Sequence, residues 1–387
     1  MSKSPVLRQR GVTLVELMVA IVIASLLVLA VSTVMIGFEA RKRGATSVND
    51  IDQAGNYAVY MLDNWLRNAG AGFAQSAEYA FGCTLQATNG SQTLPRSAAL
   101  PAPFASLSTS FRLAPALIAA DQTTPGLSGS TSDVLVIMSG AAGRADAPAY
   151  LTDYPAAATL TLKNTLSFAA SDLLLLADQE AKSGAIAPCL LSQVSSSFSE
   201  AGAGSLPLAG SYYSAEINAV SVAGFSKSAV AFAMGNVAQA NPPTFQVIGV
   251  GDNNTLFAYD LLQTSSTPMQ AVANGVFELH ALYGLDTSGD GKIDSWVKPS
   301  GSYAYSALSD GSTNSAGLIA TIKAVRVGLI LRTELAEKSA VSAVNLNLFA
   351  DLGSSLQFTR TLSATEQKYR YRTVEITVPL RSVMMLE

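Results

Sequence analysis

One stretch of apolar residues, from Val12 to Phe38 with Glu16 as its only charge, constrains this 387-residue chain more than any other feature. As a helix rising 1.5 Å per residue, Val12 to Gly37 reaches about 39 Å, enough to cross a hydrocarbon core of about 30 Å. The ten residues before it hold Lys3, Arg8 and Arg10 and no acid. Positive charge stays on the cytoplasmic side, so the run is expected to span the inner membrane with everything after it outside. A secretory signal would have a shorter apolar region with its cleavage site behind it. Here the candidate site, at Gly11, precedes the run, so the anchor stays on the mature protein. A lone carboxylate in hydrocarbon is costly enough to need a function or a partner, which makes Glu16 a candidate functional residue.

Nearly half of the residues are apolar and 13% are charged, a composition that excludes a wholly disordered chain. The formal charge of -4 offers no overall basic surface, and no nucleic-acid partner is expected. Cys83 and Cys189 are the only cysteines. Outside the cytoplasm two such thiols are expected to pair, the alternative being two unrelated buried cysteines.

After Arg41-Lys42-Arg43, apolar residues recur at helical intervals: Val48, Ile51, Val59, Leu62, Trp65 and Leu66. This amphipathic stripe extends the anchor into one helix over residues 12–70, ended by the glycines of Asn68-Ala69-Gly70-Ala71-Gly72. Beyond it, short β-rich runs alternate with Ser, Gly, Pro and Asn. Strands are predicted at Asp133 to Met138, Asp172 to Leu176, Thr244 to Val250, Thr255 to Leu262, Gly275 to Tyr283, Lys323 to Arg332 and Tyr371 to Leu380. Thr93 to Gly129 and Ser195 to Gly210 read as long surface loops. The fold class is therefore α+β, with a mainly antiparallel sheet head over residues 71–387.

The segment Gly11-Val12-Thr13-Leu14-Val15-Glu16-Leu17-Met18-Val19-Ala20 resembles the prepilin signature of type IV pilins and type II secretion pseudopilins. Leu66-Arg67-Asn68-Ala69-Gly70, Ser132-Asp133-Val134-Leu135-Val136, Val325 to Arg332 and Tyr369 to Arg381 are similar to segments of the PilW minor pilins. Pro379 departs from that pattern and suggests a sheet edge or a strand end. The resemblance implies a pilin-like fold and a leader, residues 1–11, cut after Gly11 by a prepilin peptidase that methylates the new amine on Val12. Glu16 would then meet the Val12 amine of another subunit, the cation that makes a buried carboxylate tolerable. Losing the leader removes three cations and takes the side-chain charge from -4 to -7. The resemblance further implies priming of pilus assembly at or near the tip, in support of piliation, twitching motility and adhesion. The implied partners are other minor pilins, the major pilin and a large tip adhesin. A type II secretion pseudopilin and a membrane-anchored adhesin or surface enzyme are the competing readings.

Asp286, Ser288, Asp290 and Asp294 place oxygens at positions 1, 3, 5 and 9 of a loop with Gly291 at position 6, and Lys292 can offer its carbonyl. That spacing suits a structural Ca²⁺, although the position 12 acid of an EF-hand is replaced by Val297. A plain polar turn reads equally well, and no cofactor is required. No enzyme motif emerges. His280 is the only histidine, so two-histidine zinc motifs are excluded and any Ser-His-Asp triad would need it. The nucleophile elbow and the phosphate-binding and dinucleotide-binding loops are missing. Tyr212-Tyr213, Tyr303 and Tyr305 mark either a binding face or core and rim positions.

Overall fold

The computed structural model describes residues 11–124, 131–141, 147–178, 184–199, 204–239 and 241–384. Met1 to Arg10 of the expected leader lie outside the described residues. The chain divides into two units, Met1–Asp50 and Ile51–Glu387, and the boundary falls within one helix, Leu14–Asn68.

In the first unit the large apolar side chains from Val12 to Phe38 are all exposed, between 52% and 74%. A helix hydrophobic all round must be covered by lipid or by other helices. Two of its hydroxyls are turned onto its own backbone: Ser25 Oγ donates to the Val22 carbonyl and Thr33 Oγ1 to that of Ala30, both at 2.8 Å. The polarity of both groups is thereby hidden within the apolar run.

In the second unit the helix buries Ile51, Ala58, Leu62 and Leu66, with Val59 and Trp65 half-buried. This is the amphipathic stripe expected from the sequence, with two small residues at its centre. A Cβ on Gly55 would collide with Leu331 Cδ1, so the missing side chain lets the helix lie close on the sheet beneath. Past Asn68 the chain turns through Gly70 and Gly72, both at φ +83°. The Gly70 N–H then meets the Met138 carbonyl at 2.8 Å.

Three larger sheets form the head. Six strands run in the order Gln92–Leu94, Leu85–Thr88, Cys189–Gln193, Asp172–Ala177, Val230–Asn236, Ala149–Tyr150. Five run in the order Met269–Asn274, Thr255–Asp260, Thr244–Gly251, Ser132–Ser139, Ala116–Thr123. The third sheet has four, Ser295–Val297, Val276–Leu285, Ile322–Arg332 and Tyr371–Pro379. A two-stranded ribbon, Asn345–Leu348 with Phe358–Thr361, packs Leu346, Leu348 and Phe358 with Phe277 and Ile330 of the third sheet.

All seven predicted strands are present, and His280 lies on one of them. The two expected long loops are not structureless: the first holds Ala116–Thr123 and the second Ser205–Pro207. Ala116–Thr123 was obscured because Asp121 and Gln122 interrupt its apolar run, and the pairing register shifts between Ala119 and Thr123. Residues 125–129 and 200–203 of those loops lie outside the described residues. Tyr212 is buried and Tyr213, Tyr303 and Tyr305 are half-buried, core and rim positions rather than a displayed face.

Cys83 and Cys189 form a disulfide, with Cα atoms 5.6 Å apart and a sequence separation of 106. It sits where Leu85–Thr88 and Cys189–Gln193 pair in parallel, Leu85 opposite Cys189. Parallel strands need a long crossover, and the bridge closes this one. Replacing both cysteines by alanine is expected to lower stability by about 2–5 kcal/mol, read by chemical denaturation of the full chain in detergent against the parent; an unchanged midpoint and slope would show that the bridge adds nothing.

Candidate functional site

At the start of the first unit, Gly11, Val12 and Thr13 precede the helix, and Thr13 Oγ1 accepts the Glu16 N–H at 3.3 Å. The Thr13 carbonyl accepts from Leu17 at 3.1 Å. Threonine here satisfies one of the orphan N–H groups of the first turn. Glu16 stands in that turn, where the partial positive charge of a helix N-terminus favours a carboxylate. Gly11, Val12 and Glu16 are all exposed in the isolated chain.

The Asp286 loop joins Val276–Leu285 to Ser295–Val297, closed by the Asp294 N–H on the Leu285 carbonyl at 2.7 Å. Carboxylate oxygens of Asp286, Asp290 and Asp294 lie within 4.8 Å of one another. Asp286 accepts from the N–H groups of Gly289 at 2.6 Å and Gly291 at 2.9 Å. Asp294 Oδ2 accepts from Thr287 N at 2.7 Å and Ser288 N at 3.0 Å. Desolvation raises the pKa of Asp286, but the N–H groups of Gly289, Gly291 and Asp290 outweigh it and hold the carboxyl below its usual range. Asp294 is likewise held low, chiefly by the Thr287 N–H. Gly289 and Gly291 adopt φ +75° and +78°, the left-handed region that lets the backbone coil round these acids. Ser288 Oγ lies 3.3 Å from both Asp286 and Asp294, whereas the Lys292 ammonium reaches Asp290 at 3.2 Å. Val297 points into a strand pair opposite Tyr283, in keeping with a loop that is no EF-hand.

A second cluster was not anticipated. His280 Nε2 lies 3.3 Å from Glu278 Oε2, and its Nδ1 lies 3.8 Å from Asp133 Oδ1. Arg360 Nε meets the other oxygen of Glu278 at 2.8 Å, and its Nη2 meets Glu366 at 2.7 Å. Phe358 stacks on the imidazole with ring centroids 3.6 Å apart. The five charged residues come from four separate chain segments, which sequence spacing does not connect. The legible signal was Glu278 and His280 two apart in an otherwise apolar strand, since that spacing puts both on one face. Both imidazole nitrogens face carboxylates, so the histidine that a Ser-His-Asp triad would need is committed elsewhere. Burial pushes the His280 pKa down, but its hydrogen bonds to Asp133 and Glu278 outweigh this and raise it to about 9.

Among protein-family models, that for the type IV pilus-assembly protein W matches residues 246–382, roughly a third of the chain. The prokaryotic N-terminal methylation motif matches residues 7–32. The first span takes in the third sheet, the Asp286 loop, the ribbon and most of the charged cluster; the second takes in Gly11, Val12 and Glu16. No curated protein and no solved structure matches the chain. The two family models bear out the resemblance of this α+β chain to PilW-like prepilins. They support a type IV pilus minor pilin, and the motif and apolar helix fit anchoring in the inner membrane and incorporation into a pilus.

A histidine whose folded pKa lies above its unfolded value of about 6.5 adds stability below that value and loses it as pH rises through the folded pKa. With the folded value at about 9, His280 is expected to contribute on the order of 3 kcal/mol at pH 6, gone by about pH 10. Melting curves of the parent and His280→Gln across that range test this, since the parent should lose more stability than the variant. Parallel slopes would mean that His280 is neutral in the folded protein.

Proposed function

We propose that this chain is a minor pilin that primes type IV pilus assembly and sits at or near the pilus tip, in support of piliation, twitching motility and adhesion. Its work is recognition between subunits rather than catalysis. The observation that carries this reading is an apolar run from Val12 to Phe38, exposed all round and with a single carboxylate, most of which falls within the matched methylation motif. Cleavage after Gly11 by a prepilin peptidase frees the Val12 amine for methylation. Inside the fibre, Glu16 meets that amine on a neighbouring subunit, another minor pilin or the major pilin. A large tip adhesin is the partner proposed for the head. The match over residues 246–382 favours a pilus over a type II secretion pseudopilus.

Breaking a buried ion pair costs about 3–5 kcal/mol, so Glu16→Ala should enter the membrane normally yet fall in sheared pili by roughly a hundredfold or more. Quantitative mass spectrometry of both fractions reads this, together with the expected N-terminus at methylated Val12. Equal recovery of parent and variant would leave the helix as a mere anchor, and normal piliation and twitching in a deletion strain would remove the priming role.

The Asp286 loop supports a second proposal, a structural Ca²⁺ held by Asp286, Ser288, Asp290, Asp294 and the Lys292 carbonyl. The three converging carboxylates favour it, and the ion would take the place of the Lys292 ammonium beside Asp290. Calcium titration of the full chain in detergent should release or absorb heat and raise the melting temperature, and Asp290→Ala should abolish both. A silent titration would leave a polar turn.

A further inference from the structure

Six arginines of the second unit are half-buried among the described residues. A guanidinium taken out of water is tolerated when acceptors meet its N–H groups, and five of the six have them. Arg67 bonds Asp63, Arg96 the Tyr259 hydroxyl, Arg112 the Gly82 carbonyl, Arg326 both Asp351 and Glu375, and Arg360 Glu366. Arg332 is the exception. Its Nε and Nη1 are buried and meet no acceptor among the described residues.

Arg332 ends the strand Ile322–Arg332 and stands opposite Tyr371. Its guanidinium lies over two rings, with Cζ 4.9 Å from the centroid of Phe277 and 4.6 Å from that of Tyr369. Aromatic faces attract the charge but leave the in-plane N–H groups without an acceptor. The Tyr371 ring sits edge-on to Phe277, centroids 5.6 Å apart. Its hydroxyl lies close enough to feel the guanidinium, yet the hydroxyl oxygen too is buried with no hydrogen-bond partner. Burial pushes the Tyr371 pKa up to about 12, although the Arg332 charge opposes this, so at neutral pH the phenol keeps its proton and donates. Glu366, whose charge Tyr371 also feels, is taken by Arg360 and the Ser363 N–H, both at 2.7 Å.

We propose that the guanidinium edge of Arg332 and the Tyr371 hydroxyl together hold a small inorganic anion of chloride's size. Orphaned polar atoms in a native interior call for a missing partner, and the orphans gathered here are donors, on a cation and on a neutral phenol. A water molecule accepts from such groups but leaves the charge unpaired, whereas an anion accepts from both and offsets it. The burial of the donor atoms favours a single-atom ion over a larger oxyanion. Phe277 and Tyr371 belong to the apolar cluster beneath the ribbon, so the bound ion ties the last two long strands of the third sheet together on the face that the ribbon covers.

The test is chloride NMR of the full chain in non-ionic detergent micelles, where a bound ion broadens the chloride resonance beyond that of empty micelles. The parent should show excess broadening that saturates with chloride and is suppressed by bromide. Arg332→Gln should lose it, whereas Arg381→Gln, at an exposed arginine past the far end of the last strand, should keep it. Tyr371→Phe removes one O–H and should weaken chloride binding about tenfold or more. That variant keeps the ring packing, so it decides the matter if circular dichroism shows that Arg332→Gln does not fold. No excess broadening in the parent, undiminished broadening in either site variant, or equal loss in Arg381→Gln would each overturn the site.

Discussion

The close approach of Gly55 to Leu331 sets much of the head's arrangement. A helix held off a sheet by full-sized side chains buries only their tips, whereas a stripe of Ile51, Gly55, Ala58 and Leu62 brings helix backbone toward strand side chains. Leu331 fills the space that Gly55 leaves, and Asp52, one turn earlier, is placed to pair with Arg372 on the edge strand. With one face of the third sheet covered by the helix, its other face is free to receive the ribbon Asn345–Leu348 and Phe358–Thr361. That second layer explains why Val276–Leu285 is buried on both faces, a pattern that a strand with one solvated face does not show.

Burial on both faces creates the conditions for the charged cluster. Glu278 is fully buried, and a carboxylate in that setting is sustained only by cations and donors fixed around it. Arg360 reaches it from the ribbon, His280 from its own strand and Asp133, through His280, from the five-stranded sheet. Asp133 also accepts the Ala281 N–H at 2.9 Å, so one carboxylate serves both the imidazole and the backbone of the neighbouring sheet. The cluster ties ribbon and two sheets together with directional bonds where apolar packing alone would permit sliding. Hydrophobic contact is non-directional, whereas an arginine between two carboxylates admits few registers.

The parts of this fold that depend on local periodicity were legible in the sequence. The helix, its glycine stop and all seven predicted strands follow from spacing and turn chemistry, and the Cys83–Cys189 pairing follows from composition and compartment. The ribbon was missed because Asn345, Asn347, Thr359 and Thr361 face solvent, leaving too few apolar residues to mark a strand. Thr359 and Thr361 donate to Asn347 and Asn345 across it, an arrangement in which polar side chains rather than apolar ones secure the register. Ala116–Thr123 was missed for a related reason, since its register shift breaks the alternation. Of the candidate site residues, Gly11, Val12 and Glu16 lie close together in sequence, within the span that the methylation-motif model matches. The His280 cluster could not be read from the sequence, because its partners are brought together only by sheet topology.

Glu16 shows how one residue can suit two surroundings. In the structure it stands in the first helical turn, where the partial positive charge of the helix N-terminus favours a carboxylate. With the proposed cleavage after Gly11, the same position becomes the fifth residue, counting Val12 as the first. In the proposed fibre the dipole alone is too weak to hold a carboxylate in hydrocarbon, since it contributes about 0.3–1 kcal/mol against a burial cost of several. The shortfall is met only when a neighbour's amine is in register. A charge tolerable at the membrane surface and costly inside an unpaired helix bundle therefore penalises every misaligned assembly, which the featureless apolar run from Leu17 to Phe38 could not do by itself.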